Sequence, residues 1–439
     1  MSNSLFLKRY KTIADALNGS GGFLDGSYLT RYSKRESDED YTERKNLAQY
    51  RNFLRSACNS YVGYIAKKPP MRVVNNPLLA MIVDAANAKN DSLDIFWHQF
   101  MIELKARSVM LLLVDMPQQL PESQDEQIIN RKIPYLTPIY PEQIFQYTLN
   151  DSGMLESIEI QVVEQSLYGS ELYICGWDAQ RWWKRGYTDG VEIASGEHGL
   201  GICPVLIASE TGQFPGFGEF EQITGLSLQY YNVDSELTEL RRKQSFSIFT
   251  VQVPSTMTAL DIKEVMQEVG TKNGVPYFGE RPAYVSPGDG PTAHHETRLD
   301  KIVSAIKEVE MNIEDAPNAS GIAQTIRFQR LNGSLTAFAR IMEDLERRMW
   351  DLAAKWLGLE NVDIAVSWSK DYSISDINQE LIELQQMQSI NFPDEVITAK
   401  KKVVAQLALS NLQPDELEEI LQSIESAEVM PDTTTDLEF

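Results

Sequence analysis

Histidine and cysteine are scarce in this chain of 439 residues, with four and three respectively. Cys58, Cys175 and Cys203 have no metal-type spacing, and an odd count fits a reduced interior better than a disulfide framework. The four histidines are His98, His198, His294 and His295, too few for a His-rich metal site. His294-His295-Glu296 has the wrong spacing for a zinc protease and falls in a stretch read as a loop. Long apolar runs are also missing. The longest, residues 78–83 and 109–114, are far too short to span a bilayer. The start lacks a basic region followed by an apolar one, so no secretory signal is expected and folding in cytoplasm is. No G-x-x-x-x-G-K-[ST] loop is present, which excludes ATP hydrolysis through a P-loop, and no G-x-G-x-x-G opens a helix. Carboxylates are many, but no pair is singled out for acid–base chemistry. No catalysis, metal or cofactor is therefore expected.

Positive charge is in deficit. The formal net charge is −23, and no Lys or Arg occurs beyond Lys402. A nucleic-acid clamp needs cations to displace counterions, so a clamp is disfavoured. An acidic wall repels a duplex, which suits a passage through which a polymer slides without sticking; acidity can equally serve solubility alone. Apolar content of 43% and charged content of 23% are ordinary for a globular protein of two or three domains.

What is present is periodicity. Ile223, Leu226, Tyr230, Val233, Leu237 and Leu240 step by three and four, as do Leu299, Ile302, Ile306, Val309 and Ile313. Each set lies on one seam of a helix. The stretch between them, about 248–296, is rich in β-branched, Gly and Pro residues that continue neither helix. It reads as strand 249–253, acidic helix 260–269, strand 275–278 and loop 286–291. The layout is a stalk carrying a small module, or else a helical hairpin within a core. A stalk would need copies of itself or a neighbouring element to cover its seams.

The rest of the chain frames that stalk. A short amphipathic piece (Leu5, Leu7, Tyr10, Ile13, Leu17) precedes Gly19-Ser-Gly-Gly, and Ser37-Asp-Glu-Asp starts a helical run from 41 to about 66 that Pro69-Pro70 stops. A helix follows over 92–108, then buried strands at 110–114 and 135–140. Residues 157–209 alternate as an antiparallel meander with a hairpin turn at Asp189-Gly190, closed by strand 202–208. Within it, one ring of Trp182-Trp183 is expected in the core and the other at an edge. After a polar breaker at 315–321, the seam Leu335, Phe338, Met342, Leu345, Met349, Leu352 and Trp356 marks a long helix ended by Gly358. Strand 362–368 and two or three helices to about 424 complete the fold, and the acidic tail reads as disordered.

Taken in order, these segments resemble the portal proteins of tailed bacteriophages over roughly residues 27–410. Tyr28-Leu-Thr-Arg, Asp40-Tyr-Thr-Glu-Arg and 57–70 ending in Lys67-Lys-Pro-Pro look like the N-terminal helical region of one portal subfamily. Pro134-Tyr135 with Tyr140-Pro-Glu-Gln-Ile144, and Gly199-Leu-Gly-Ile-Cys-Pro204, look like strands leading to the stem. Ser320-Gly-Ile-Ala323 with 335–358 looks like the tunnel loop and the helix behind it; Ser367-Trp-Ser-Lys-Asp-Tyr372 looks like the turn before the crown. Order and spacing carry the resemblance, since no single motif is diagnostic.

The resemblance implies an α+β portal fold with an α/β wing, a two-helix stem, a small α/β clip and a helical crown. Mapped here, 1–217 is wing, 218–247 first stem helix, 248–296 clip, 297–315 second stem helix, and 316–334 tunnel loop. Residues 335–375 are long wing helix and strand, 376–425 crown helices and 426–439 tail. It implies a non-enzymatic virion component: a ring of about twelve copies at one capsid vertex. DNA would enter and leave through that ring. Its partners would be the terminase large subunit, the major capsid protein and scaffold, a head–tail adaptor and double-stranded DNA, with no membrane. The channel would be lined by Lys307, Glu310, Glu314, Asp315, Asn318 and Ser320. Subunits would meet through Ile223, Leu226, Val233, Leu237, Leu240, Leu299, Ile302, Ile306, Val309 and Ile313, and Arg327 and Arg330 would pin the loop to a neighbouring carboxylate. The competing readings are a carboxylate-dependent hydrolase with a hairpin insert and a non-portal head-assembly protein.

Overall fold

The computed structural model describes residues 3–31, 33–34, 36–117, 132–166, 169–245, 249–252, 256, 274–277, 279, 290–310, 321–360, 362–372, 377–390, 392–409, 420–421 and 423–424. It divides into two compact units, 1–371 and 372–439. The fold is α+β. No helix among the described residues is long and apolar enough to cross a membrane.

In the first unit, α1 (Asn3–Asn18) buries Tyr10, Ile13 and Leu17. The run expected to be one helix over 41–66 is two, α2 (Asp38–Leu47) and α3 (Phe53–Ala66). Local capping breaks it: Ala48 is extended, and the Asn52 side chain accepts the Arg55 N–H at 2.9 Å, starting a new helix. Pro69-Pro70 then leads into a short strand, β1 (Met71–Val74), and the apolar run after it forms α4 (Pro77–Asp84). There Asn76 caps Leu78 N–H and Leu79 N–H, and Pro77 takes the first helical position. Helix α5 (Leu93–Arg107) ends in left-handed Ser108 and passes at once into β2 (Val109–Asp115).

β2 lies between β3 (Tyr135–Ile139) and β9 (Val205–Ser209) in an antiparallel sheet, which explains its unbroken apolar sequence. The assignment of 202–208 to the meander is thereby corrected: β9 belongs to the sheet of β2. The meander itself is β4 (Ile144–Leu149), β5 (Leu155–Ser166), β6 (Gly169–Trp177), β7 (Arg181–Gly186) and β8 (Glu192–Glu197), antiparallel in chain order. The two sheets share a core of Leu111, Leu113, Ile139, Ile158, Ile160 and Val205. Neither tryptophan of the Trp182-Trp183 pair is fully buried. Each ring covers a glycine on the adjacent strand, Trp183 over Gly176 and Trp182 over Gly196, and Trp183 Nε1 donates to Glu159 at 3.0 Å. Small residues opposite large ones let both rings lie flat on the sheet.

A hairpin of α6 (Glu221–Ser245) and α7 (Gly290–Val309) follows, with the parallel pair β10 (Phe249–Gln252) and β11 (Gly274–Tyr277) between its helices. The acidic helix expected at 260–269 lies outside the described residues. Helix α8 (Gly321–Trp356) has 36 residues, about 54 Å at 1.5 Å per residue. It begins well before 335, so most of the expected tunnel loop is helical. No proline or acidic cluster interrupts 321–334, and Gly333 alone does not break a helix. Leu335, Phe338, Met342, Leu345, Met349 and Leu352 bury its seam, and Trp356 Nε1 donates to Val114 O at 2.8 Å. Gly358, at φ +64°, ends it. Strand β12 (Ile364–Ser367) then pairs antiparallel with β1, Met71 opposite Ser367 and Val74 opposite Ile364.

The second unit is an antiparallel helix pair, α9 (Ile377–Ser389) and α10 (Asp394–Ala408), tied by Lys400 Nζ to Glu380 at 2.5 Å and Glu383 at 2.7 Å. A third helix is described only at 420–421 and 423–424, and the tail from 426 lies outside the described residues.

Candidate functional site: the helical hairpin and its base

The hairpin leaves the body through a glycine-rich hinge, 210–220, whose anchoring is specific. Tyr10 Oη donates to Gly216 O at 2.7 Å, and Gly218 N–H donates to Ser108 Oγ at 2.7 Å. A Cβ on Gly218 would stand 2.4 Å from that same hydroxyl, so only glycine allows the approach. Lys105 is buried beneath, with Nζ 3.1 Å from Glu210 and 4.2, 4.5 and 5.6 Å from the ring centres of Tyr61, Phe220 and Phe338. Burial pushes the Glu210 carboxyl above its ordinary range, and the Lys105 charge offsets part of that.

Beyond the hinge, α6 and α7 run antiparallel. Arg241 Nη2 meets Glu296 Oε1 at 2.5 Å, and His295 Nε2 lies 3.3 Å from Glu236 Oε2. The histidine pair is thus helical rather than in a loop. Among the described residues no cluster of three His, Cys, Asp or Glu side chains stands ready to hold a metal. The cysteines are not poised as nucleophiles either: burial raises the Cys58 and Cys175 thiols and pushes Cys203 up to about 11.

Of the coverings left open for the seams, copies of the chain or a neighbouring element, the second is present: each seam packs largely on the other. Ile223, Val233, Leu237, Leu299, Ile302 and Ile306 are buried; the two helices pack on each other, and α6 also packs against α1, α2 and α3. These six are therefore covered within one copy of the chain. Leu226, Leu240 and Val309 are half-buried and keep exposed apolar surface. Of the expected channel residues, Lys307 is exposed near the end of α7 and Glu310 is half-buried just past it. Ile313, Glu314, Asp315, Asn318 and Ser320 lie outside the described residues.

At the base of the hairpin the helices diverge around an open groove of about 540 Å³. α6 contributes Gly225 and Leu226, α7 contributes Glu308 and Val309, and α8 contributes Arg330, with Glu219 at the hinge end. None of these was singled out by periodicity except Leu226 and Val309. The one available signal was a glycine inside an otherwise continuous helical pattern. The groove mixes apolar floor with carboxylate and guanidinium rim, an arrangement suited to docking rather than to bond chemistry.

No family model matches the chain, and no curated protein matches it. Among solved structures it is similar to a chain described as the neck of an empty GTA particle computed with C6 symmetry. The TM-score is 0.41 and the identity 11%, over 84% of this chain and 90% of that one. Nothing about partners or activity passes to this chain from a likeness of that degree.

Proposed function

We propose that this chain is a portal subunit: one copy in a ring at a capsid vertex, through which double-stranded DNA is packaged and ejected. It performs no catalysis of its own. The observation that carries the reading is the hairpin, a 25-residue helix out and a 20-residue helix back. Between them sits a small module, and a 36-residue helix anchored in the body follows. The same order of parts underlies the resemblance to portal proteins read from the sequence. On this reading α6 and α7 are the stem, residues 246–289 the clip that meets the terminase large subunit and later the head–tail adaptor, and the first unit's sheets the wing against capsid protein and scaffold. The net charge of −23 suits a channel wall, because a ring of copies multiplies each exposed carboxylate into a girdle that keeps a duplex sliding.

Class-averaged electron microscopy of the purified protein tests this directly. Rings of about twelve copies with an axial hole of roughly 20–25 Å, wide enough for a duplex, are expected. Compact monomers or dimers at high concentration would overturn it.

A further inference from the structure

Gly225 sits in the second turn of α6, where glycine is among the least favourable residues for a helix interior. Among the described residues nothing crowds it: a Cβ built there meets no atom within 4 Å. The space above it is the floor of the basal groove, flanked by half-buried Leu226 and Val309. Two exposed carboxylates, Glu219 and Glu308, stand on the rim, and neither is in an ion pair with a described residue.

A surface of opposite charge adjoins the groove on α8. Between residues 316 and 342 there is no Asp or Glu, while Arg327, Arg330 and Arg340 all fall in that span. In the second and third turns of α8, Ile326 is 60% exposed, and Arg327, Gln329 and Arg330 are exposed beside it. Arg330 lines its own groove, but Ile326 does not enter it. Among the described residues Arg327 has no ion-pair partner.

We infer that the basal groove receives the early turns of α8 from a second copy of this chain. Ile326 of that copy occupies the space over Gly225 between Leu226 and Val309, and its Arg327 pairs with Glu308 or Glu219. The argument rests on complementarity of both shape and charge: a hollow over Gly225 between Leu226 and Val309, with Glu219 and Glu308 as well as Arg330 on its rim, and an exposed apolar residue beside a cation on another surface. The two surfaces are different, so the contact is heterologous: repeated, it gives a ring where the rotation closes, as the portal reading requires, and not a two-fold dimer. The inference rests on the ring proposed above and assigns it a contact.

Charge reversal tests it, with wild-type, E308R, R327E and E308R/R327E proteins compared by mass photometry and by electron microscopy. Each single reversal should reduce the association constant per contact by roughly tenfold or more, because one ion pair becomes a like-charge pair. The double variant should recover rings, because the pair is restored with its signs exchanged. Gly225→Leu should also block assembly while leaving the thermal unfolding midpoint of the subunit near wild type. If wild-type protein forms no ring, this inference and the portal reading fall together. If wild-type protein forms rings and both single reversals assemble equally well, the groove contact alone is wrong. Loss of assembly in the singles without recovery in the double would overturn the pairing of Arg327 with Glu308.

Discussion

The body of the first unit and the base of its hairpin treat charge in opposite ways. In the body, ions are buried and matched. Arg44 Nε meets Glu36 at 2.8 Å with both side chains almost wholly enclosed, and its other nitrogens reach Ser235 Oγ and Thr30 O. Arg72 meets Glu346 at 2.5 Å, while Trp350 and Trp368 donate to the same carboxylate. Arg107 pairs with Glu142 at 2.6 Å and with Glu103 one turn back on α5. At the base of the hairpin, Glu219, Glu308, Arg327 and Arg330 are exposed, and no ion pair among the described residues joins them. Folding alone completes the first region. The second has the composition of a surface completed by association.

Removing a buried partner should therefore be costly in the body. Glu346→Ala strands two indole N–H groups and leaves the buried Arg72 guanidinium with exposed Asp94 as its remaining carboxylate, and should lower unfolding free energy by about 3 kcal/mol in urea titrations. Lys105→Met tests the hinge and adds a pH signature. The Glu210 carboxyl is held above its ordinary range by burial, so its favourable contribution is present below that range and is lost as pH rises through the raised value. Without Lys105 the raised value climbs further. The variant's deficit should be small at pH 4 and approach about 3 kcal/mol at pH 8, since the lone buried carboxylate is then uncompensated. A deficit independent of pH would mean that the lysine acts through packing on its three rings.

A further pair of substitutions should separate two positions along the single seam of α6, and the smallest effect belongs to its base. Leu237→Ala opens a cavity at a buried seam position and should cost about 2–5 kcal/mol, whereas half-buried Leu226→Ala should cost less than about 1 kcal/mol. Equal costs at both positions, read from denaturation of unassembled protein, would erase the distinction between a covered and an uncovered end of that seam.

The seams of α6, α7 and α8 were legible because a helix writes its buried face locally, every three or four residues. So was most of the meander, where alternation and Asp189-Gly190 mark consecutive strands, and so was β2, whose uninterrupted apolar run announces burial on both faces. What stayed hidden depends on distant residues. β9 looks like one more meander strand until Leu112 is seen to pair with Leu206 on one side and Pro138 on the other. β1 has four residues and no pattern of its own; its strand state exists because β12, nearly three hundred positions later, lies beside it. The break between α2 and α3 turned on one side-chain cap at Asn52. The groove was invisible for a different reason: it is made by space over Gly225, and sequence records residues, not the absence of neighbours.

The contact between Arg241 and Glu296 brings the entry and exit of residues 242–295 side by side. Whatever lies between them is, for the body, a loop whose ends are already held together. Loop-closure entropy grows only logarithmically, so doubling that segment would cost about 0.6 kcal/mol. The hairpin's end is therefore an exchangeable port: the body can carry a longer, shorter or unrelated segment there at little cost to its own fold.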